Sequence, residues 1–401
     1  MLNVCFYFQV HQPWRLRQYS LFDVGENHEH FSDDLNRRVM GKVASKCYLP
    51  ANRLMLELIR RHRGRFNIAY SISGVAIEQM KRFAPEVLES FRELAATGCV
   101  EFLGETYYHS LAALTDETEF RSQVREHSEL IEHTFRQTPR VFRNTELIYN
   151  NRIGEIASEL GFEGIAAEGA DDILGWRSPN YLYRHPKTDL KLFLKNYKLS
   201  DDVAFRFSNR GWSEFPLTAE KYSRWLHAIS GAGEIVNLFM DYETFGEHQW
   251  QETGIFEFMR ALPTQLFQNP DWRFVTPSQA LACVKPVAEM SFARTVSWAD
   301  TERDISAWLG NDLQRDAFRQ LYELGPEIRQ RNNPAAIELW RRLQTSDHFY
   351  YMCTKWYADG DVHAYFSPYE SPYEAFINFM NVLADLRQSV LWQRQTTAGI
   401  A

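Results

Sequence analysis

The sequence is short of the features that mark secreted, membrane-spanning or nucleic-acid-binding chains. Cysteine is scarce: five residues in 401 (Cys5, Cys47, Cys99, Cys283, Cys353). An odd, dispersed set excludes a disulfide framework and a cysteine-rich zinc site and predicts reduced thiols. No apolar run approaches the ~20 residues that a bilayer requires, so no membrane partner is expected. The opening stretch MLNVCFYFQVHQPW has no basic region and no small-residue cleavage site, which predicts a cytoplasmic location. Positive charge is not in excess either. Lys and Arg number 44 against 52 Asp and Glu, for a net charge of −8. A broad basic field, and with it a nucleic-acid partner, is excluded. Gly/Ser-rich linkers, internal repeats and low-complexity stretches are also missing, so tethered domains are not expected. The charge says nothing about oligomeric state.

Apolar surface, by contrast, is plentiful. Hydrophobic residues make up 45% of the chain and aromatics 14%, with 11 Trp and 19 Tyr. Eight β-rich runs are predicted at 4–10, 66–73, 100–106, 141–147, 164–168, 190–198, 234–241 and 273–276. Helical periodicity fills segments between them at 52–62, 75–97, 119–135, 153–160 and 220–229, with apolar residues at three- and four-residue steps such as Leu54, Leu58 and Ile59. Strands alternating with such helices indicate parallel βα units, and this many units favours a barrel over an open sheet. After residue 282 the pattern turns helical, at 312–324, 335–343 and 373–392. The expected organisation is therefore a barrel over 1–282 and a helical region over 283–401 packed on it.

Several strands begin apolar and end polar. The first closes in Gln9-Val10-His11-Gln12, the third in Glu105-Thr106 followed by Tyr107, Tyr108 and His109, the fourth in Arg143-Asn144-Thr145-Glu146, and that after residue 234 in Asp241-Tyr242-Glu243. In a (β/α) barrel the chemistry collects at these C-terminal strand ends. Two carboxylates on different strands suit glycoside hydrolysis, in which one protonates the leaving oxygen and the other attacks the anomeric carbon or activates water. Glu146 is one candidate, its structural alternative being an ion pair with Arg143 or Arg152. The other is Asp241 or Glu243, which spacing alone does not separate, because a continuing strand would point both to one face. Glu105 is a third credible acid.

Around these acids, His11 and His109 are placed to hydrogen-bond a hydroxyl or a carboxylate. Trp14, Trp176, Trp212, Trp250 and Trp308 are candidate platforms for stacking on a sugar ring, against a packing role for each. Trp176 leads because it lies in the turn-like segment GADDILGWRSPNY. Arg206, Asp202 and Asp304 fit either a polar shell or internal ion pairs. His28 and His30 form a His-x-His pair in the charged stretch GENHEHFSDD. With no clean third ligand visible, a solvated loop is expected there and no metal site.

The strand-end residues resemble glycoside hydrolase family 57, and within it the α-amylase group. His11-Gln12-Pro13 matches the opening motif, and EFLGETYYHSL stands in the place of the second. VFRNTELIYN is similar to the third, FMDYETFGEHQW to the fourth, and LQTSDHFYYM more loosely to the fifth. The third and fourth motifs are specific in combination, whereas His-Gln-Pro alone is weak. The similarity also runs through LSDDVAFRFS and SWADTERDISAWLGN.

The resemblance implies an incomplete (β/α)7 barrel followed by a helical region that contributes to the active site, and a retaining reaction needing no metal or other cofactor. It implies Glu146 as nucleophile and Asp241, chosen over Glu243, as general acid/base. The implied substrate is an α-glucan, contacted by residues drawn from His11, Gln12, Trp14, Glu105, His109, Trp176, Arg206, Glu243, Trp308, Asp347 and His348. Hydrolysis of α-1,4 bonds is the first expectation; 4-α-glucanotransfer or branching shares the same intermediate. GETYYHSL departs from the form in the family's transferases, so subsite contacts do not carry over there. Two further readings are a metal-dependent polysaccharide deacetylase drawing on His11, His28 and His30, and a non-catalytic glycan-binding protein.

Overall fold

The computed structural model describes residues 2–355 and 367–398. Among the described residues ten strands form one sheet: β1 (Leu2–Val10), β2 (Ile68–Ile72), β3 (Val100–Phe102), β4 (Val141–Arg143), β5 (Gly164–Glu168), β6 (Tyr183–Arg184), β7 (Lys191–Lys195), β8 (Ile235–Asp241), β9 (Trp272–Phe274) and β10 (Ala288–Glu289). All nine residues of β1, LNVCFYFQV, are buried, as expected of a parallel strand covered on both faces. It pairs in parallel with β2 on one side and β8 on the other.

From there the ring continues through β2–β3, β4–β5, β5–β7 and β7–β8, all parallel. Two seams are thin. β3 and β4 meet through a bridge between Gly104 and Phe142, where Arg143 N–H donates to Gly104 O at 2.7 Å. β7 and β8 share the single register pair Lys195–Asn237. β9 pairs with Leu2–Val4 of β1, below the point where the β1–β2 ladder begins at Tyr7. The result is the expected incomplete (β/α)7 barrel, with β6 and β10 appended to β7.

A strict two-residue alternation builds its interior. Tyr7, Ala69, Val141, Ala166, Phe193 and Phe239 on six ring strands, with Leu103 directly after β3, belong to one inner apolar cluster. Their neighbours Phe6, Phe8, Ile68, Tyr70, Phe102 and Met240 belong instead to the core shared with the surrounding helices. Two residues further along the chain in each case the position turns polar: Gln9, Ser71, Glu105, Arg143, Glu168, Lys195 and Asp241. An apolar plug therefore supports a layer of polar and charged groups at the C-terminal mouth.

The helices largely follow the predicted periodicity, with informative departures. The segment 75–97, read as one helix, is two, Gly74–Phe83 and Pro85–Ala96. Ala84 between them leaves helical geometry (φ −152°), because a residue before proline is forced out of it. Asp33–Val43 was not among the predicted helices, although Leu35, Val39, Met40 and Val43 recur at helical spacing and Met40 and Val43 are buried in the core. Strands predicted at 100–106 and 141–147 end early, at Phe102 and Arg143, since the chain turns into the barrel mouth.

Beyond the barrel, helices Asp312–Glu323, Gly325–Arg331, Pro334–Leu343, Ser346–Tyr350 and Pro372–Ala398 follow one another. Their Leu321, Trp340, Phe349, Phe379 and Leu383 share one core with Phe142, Ile165 and Leu192 from β4, β5 and β7. The helical region thus covers the outer face of that side of the ring. Among the described residues, no helix is long and apolar enough to cross a membrane.

Candidate active site

After β4 the chain makes a 3-10 turn, Thr145–Leu147, in which Glu146 and Leu147 are both left-handed (φ 56° and 50°). Non-glycine residues adopt this conformation at a cost of about 1–3 kcal/mol each, and only where the surroundings fix it. Here the fixation is visible. Asn144 Nδ2 donates to Ile148 O at 2.9 Å, and the Thr106 and Thr145 hydroxyls meet at 2.8 Å. Leu147 drops into the inner apolar cluster, and Glu146 is left at the mouth with its side chain 19% exposed.

Three donors address the Glu146 carboxylate. Trp298 Nε1–H donates to Oε2 at 2.7 Å, the Ser346 hydroxyl donates to Oε1 at 3.0 Å, and His109 Nε2 lies 3.3 Å from Oε1. His109 sits between two acids, its Nδ1 being 3.5 Å from Glu105 Oε2. Burial disfavours its charge, yet Glu105 and Glu146 together raise it to about 9. An imidazolium there answers both carboxylates. Burial would raise Glu105, but His109, His127 and Arg143 hold it at about 2. Burial would raise Glu146 as well, and His109 and Arg143 hold it below the usual carboxylate value.

Against His109 stacks His11, ring centroids 3.9 Å apart. Burial and the neighbouring imidazolium depress its basicity. Its Nε2 lies 2.9 Å from Asp347 Oδ2 and its Nδ1 2.7 Å from Ser73 Oγ. Asp347 is itself well below the carboxylate range, because His11 and His109 outweigh its burial.

Asp241 closes β8 directly beside Gln9 in register. Its environment acts in the opposite direction to that of Glu146. Burial, then the negative charge of Glu146, raise it to about 6, against opposing pulls from Arg143, Lys195 and His109. β8 stops at Asp241, and a 3-10 turn, Tyr242–Thr244, carries Glu243 off the strand. Glu243 therefore does not continue the strand face, as its two-residue spacing had predicted. It accepts a hydrogen bond from the Tyr48 hydroxyl and one from Gln12 Nε2 at 3.4 Å, and burial with the charge of Asp241 raises it.

A cationic layer backs the pair. The Arg143 guanidinium lies 4.7 Å and Lys195 Nζ 5.3 Å from the Trp298 ring centroid, within range of cation–π attraction. Arg143 is also 3.8 Å from Glu105. Lys195 and Arg303 both pair with Asp201, at 3.1 and 2.9 Å, and Arg303 Nη1 donates to Trp298 O at 2.5 Å. The loop bearing Trp298 is thus bound to the strand ends beneath it.

Of the residues read from the sequence, His11, Glu105, His109, Glu146, Asp241 and Asp347 come together, with Gln12 and Glu243 adjoining. Others lie elsewhere. Trp14 is buried, its Nε1–H donating to Glu78 Oε2 at 2.9 Å and its ring packed with Val75 and Tyr108. Trp308 is buried in the helical core near Tyr350. Neither ring is free to stack on a ligand. His348, next to Asp347 in the chain, is buried with its ring centroid 5.9 Å from that of Phe379. Arg206 forms the internal ion pair with Asp202, at 2.5 Å.

Trp176 is 91% exposed and contacts Arg177, whereas Trp212 packs on Trp225. Trp250 is exposed. Asp304 accepts from Ser306 N–H at 2.8 Å. Arg152, a possible partner of Glu146, pairs instead with Glu117 on the surface. His28 and His30 converge on Asp385, at 2.9 and 2.7 Å, whereas His11 faces Ser73 and Asp347. The set His11, His28 and His30 that a deacetylase would draw on is not assembled.

Trp298, Ser346, Lys195 and Glu168 had not been singled out from the sequence. Carrying the alternation of β5 and β7 to their last residues would have found Glu168 and Lys195. Trp298 and Ser346 sit in loops and turns with no periodicity to mark them.

Comparison with other proteins shows the family. The profile of glycosyl hydrolase family 57 matches residues 5–293. A Methanocaldococcus jannaschii protein provisionally named an alpha-amylase is 45% identical over 399 residues, spanning 95% of this chain and 83% of that protein. The fold is similar to that of a family 57 branching enzyme from Thermococcus kodakaraensis, at TM-score 0.70 and 13% identity over 96% of this chain and 89% of the other. It is also similar to the alpha-amylase AmyC of Thermotoga maritima, at TM-score 0.65 and 13% identity over 97% and 93%. The profile spans most of the barrel and the archaeal relative nearly the whole chain, so the protein belongs to glycosyl hydrolase family 57 and is a glycoside hydrolase.

Proposed function

We propose that the protein cleaves α-1,4-glucosidic bonds in α-glucans such as starch, glycogen and maltooligosaccharides by retaining double displacement. Glu146 is the nucleophile and Asp241 the general acid/base. The observation that carries this reading is the opposed electrostatics of two carboxylates at one barrel mouth: Glu146 is held ionised and Asp241 is held protonated to about pH 6. Such divergence is how two like groups acquire different roles.

In the first step Asp241 gives its proton to the glycosidic oxygen. The bond from that oxygen to the anomeric carbon breaks, and Glu146 bonds to the same carbon, forming a glucosyl ester. In the second step Asp241, now a base, takes a proton from water, which displaces Glu146. The His109 imidazolium keeps Glu146 ionised before attack and stabilises it again on release. Asp347, His11 and Glu105 are proposed to orient His109 and to meet substrate hydroxyls, with Gln12 and Glu243 beside them. Ser346, Asp347 and Trp298 come from beyond residue 282, which supports a helical region that contributes to the active site. Family members named as amylases support hydrolysis, and the similarity to a branching enzyme supports transfer as the second reading, since a glucan hydroxyl can replace water in the second step.

Incubation with maltoheptaose, with products resolved by length and reducing ends counted, tests the reading. Shorter chains with a matching rise in reducing ends are expected. Chains both shorter and longer at constant reducing ends would make the protein a transferase, and no turnover on this substrate or on glycogen would remove the α-glucan claim.

Trp298→Phe isolates one contact. It removes the indole N–H that Glu146 accepts and keeps a ring beside Arg143 and Lys195. A hydrogen bond to a charged group contributes about 1.5–3 kcal/mol, so kcat/KM is expected to fall roughly 10–100-fold. The acidic limb of the pH profile should also move upward, because Glu146 loses a donor to its ionised form. An unchanged profile would remove Trp298 from nucleophile positioning.

A further inference from the structure

The His-x-His pair has a third partner that sequence spacing did not disclose. His28 Nδ1 and His30 Nε2 both point at one oxygen, Oδ2 of Asp385, at 2.9 and 2.7 Å, across 357 and 355 residues of chain. The three potential ligand atoms all lie within 4.8 Å of one another. None of these residues takes part in the chemistry proposed above. We propose that His28, His30 and Asp385 form a binding site for a zinc-class divalent cation that fastens the loop after β1 to the last helix.

The donor chemistry selects the ion. Two imidazole nitrogens and one carboxylate oxygen suit Zn2+ and neighbouring first-row metals, whereas Ca2+ and Mg2+ seek oxygen-rich shells. Three protein ligands leave a fourth tetrahedral place for water. His28 supplies the route in, since its side chain is 65% exposed, while His30 and Asp385 form the buried floor. Asp385 is already oriented: its other oxygen, Oδ1, accepts Gly25 N–H at 2.7 Å, the kind of supporting contact that fixes a ligating carboxylate.

The surroundings fit a fastening role. Tyr19 N–H donates to Asn378 Oδ1 at 2.6 Å, and Asn378 and Asn381 donate back to Arg17 O and Tyr19 O, both at 2.9 Å. The loop therefore already lies along the helix, and the cation would close the far end of that seam. Arg17, in the same loop, is occupied by Asp23 at 2.7 Å and by the Tyr19 ring.

The test uses the full chain, stripped with a chelator and dialysed. Calorimetric titration with ZnCl2 should show one equivalent bound, and Tm should rise by several degrees on loading. Co2+ in its place should give the visible absorption of a four-coordinate ion. His28→Ala, at an exposed position that leaves the buried floor intact, should lower zinc affinity at least tenfold. Asp385→Asn should abolish the cobalt spectrum. Absence of uptake by the wild type overturns the proposal and leaves a hydrogen-bonded His–Asp–His cluster. Uptake of one equivalent with unchanged affinity in both variants overturns it equally, by placing the metal elsewhere.

Discussion

Glu146→Gln is expected to fold normally and to lose roughly 10⁴-fold or more in turnover of maltooligosaccharides, the scale seen when a covalent nucleophile is removed. Glutamine matches the size of glutamate, so the strained turn at Thr145–Leu147 keeps its packing, and the amide oxygen, placed where Oε1 stands, still accepts from Ser346 and His109. What disappears is the anion. An amide does not form the glucosyl ester, and the His109 imidazolium loses one of the two carboxylates that sustain it. Product formation followed by chromatography, with thermal unfolding alongside, separates lost chemistry from lost structure. A variant that retains turnover within about tenfold would move the nucleophile elsewhere. Glu105 would be the first alternative, although it is fully buried and already engaged by Gln9, His109 and Arg143. Binding that persists without turnover is the expected pattern, and it also separates catalysis from the glycan-binding reading.

The barrel was legible in the sequence because parallel strands buried on both faces read as apolar runs, and because the helices between most of them keep a three-to-four-residue stripe. The polar strand ends were legible for the same reason: a buried run that stops at Glu105, Glu146 or Asp241 is conspicuous. Three kinds of information stayed hidden. Where a strand yields to a turn depends on backbone conformation, so the left-handed Glu146 and the turn that separates Glu243 from Asp241 were not visible in the spacing. Long-range partners such as Trp298 and Ser346 reach Glu146 across 152 and 200 residues, and Asp385 reaches His28 and His30 over a still longer separation; only the folded chain makes them neighbours. Tryptophans carry no positional signal, so the buried Trp14 and Trp308 and the exposed Trp176 look alike until packing distinguishes them.

Asp241→Asn should cut turnover of maltooligosaccharides by about 10²–10⁴-fold, the usual contribution of general acid–base catalysis. The loss should depend on the leaving group. An aryl α-glucoside with a nitrophenol leaving group needs no proton, so its first step should survive far better, while the second step still lacks a base. The expected result is a burst of nitrophenol followed by slow release of the glucosyl-enzyme, and no burst in Glu146→Gln.

The pH dependence carries the sign. The first step needs Glu146 ionised and Asp241 protonated. The wild-type kcat/KM should therefore rise as Glu146 loses its proton, below the usual carboxylate range, and fall as Asp241 loses its own, near pH 6. In Asp241→Asn, followed through its residual activity on maltooligosaccharides, whose leaving group needs a proton, the alkaline fall should vanish and the acidic rise remain. Glu243, raised by its own burial and by the charge of Asp241, is the group that could mimic an acid. If it were the donor, Asp241→Asn would keep an alkaline limb. That limb would also shift downward, because a neutral Asn no longer repels the Glu243 anion. The direction in which the limb moves, and whether it survives, therefore assigns the proton to one carboxyl or the other. The geometry favours Asp241: Glu243 is committed to Tyr48 and Gln12, while Asp241 ends its strand beside Gln9 within the field of Glu146.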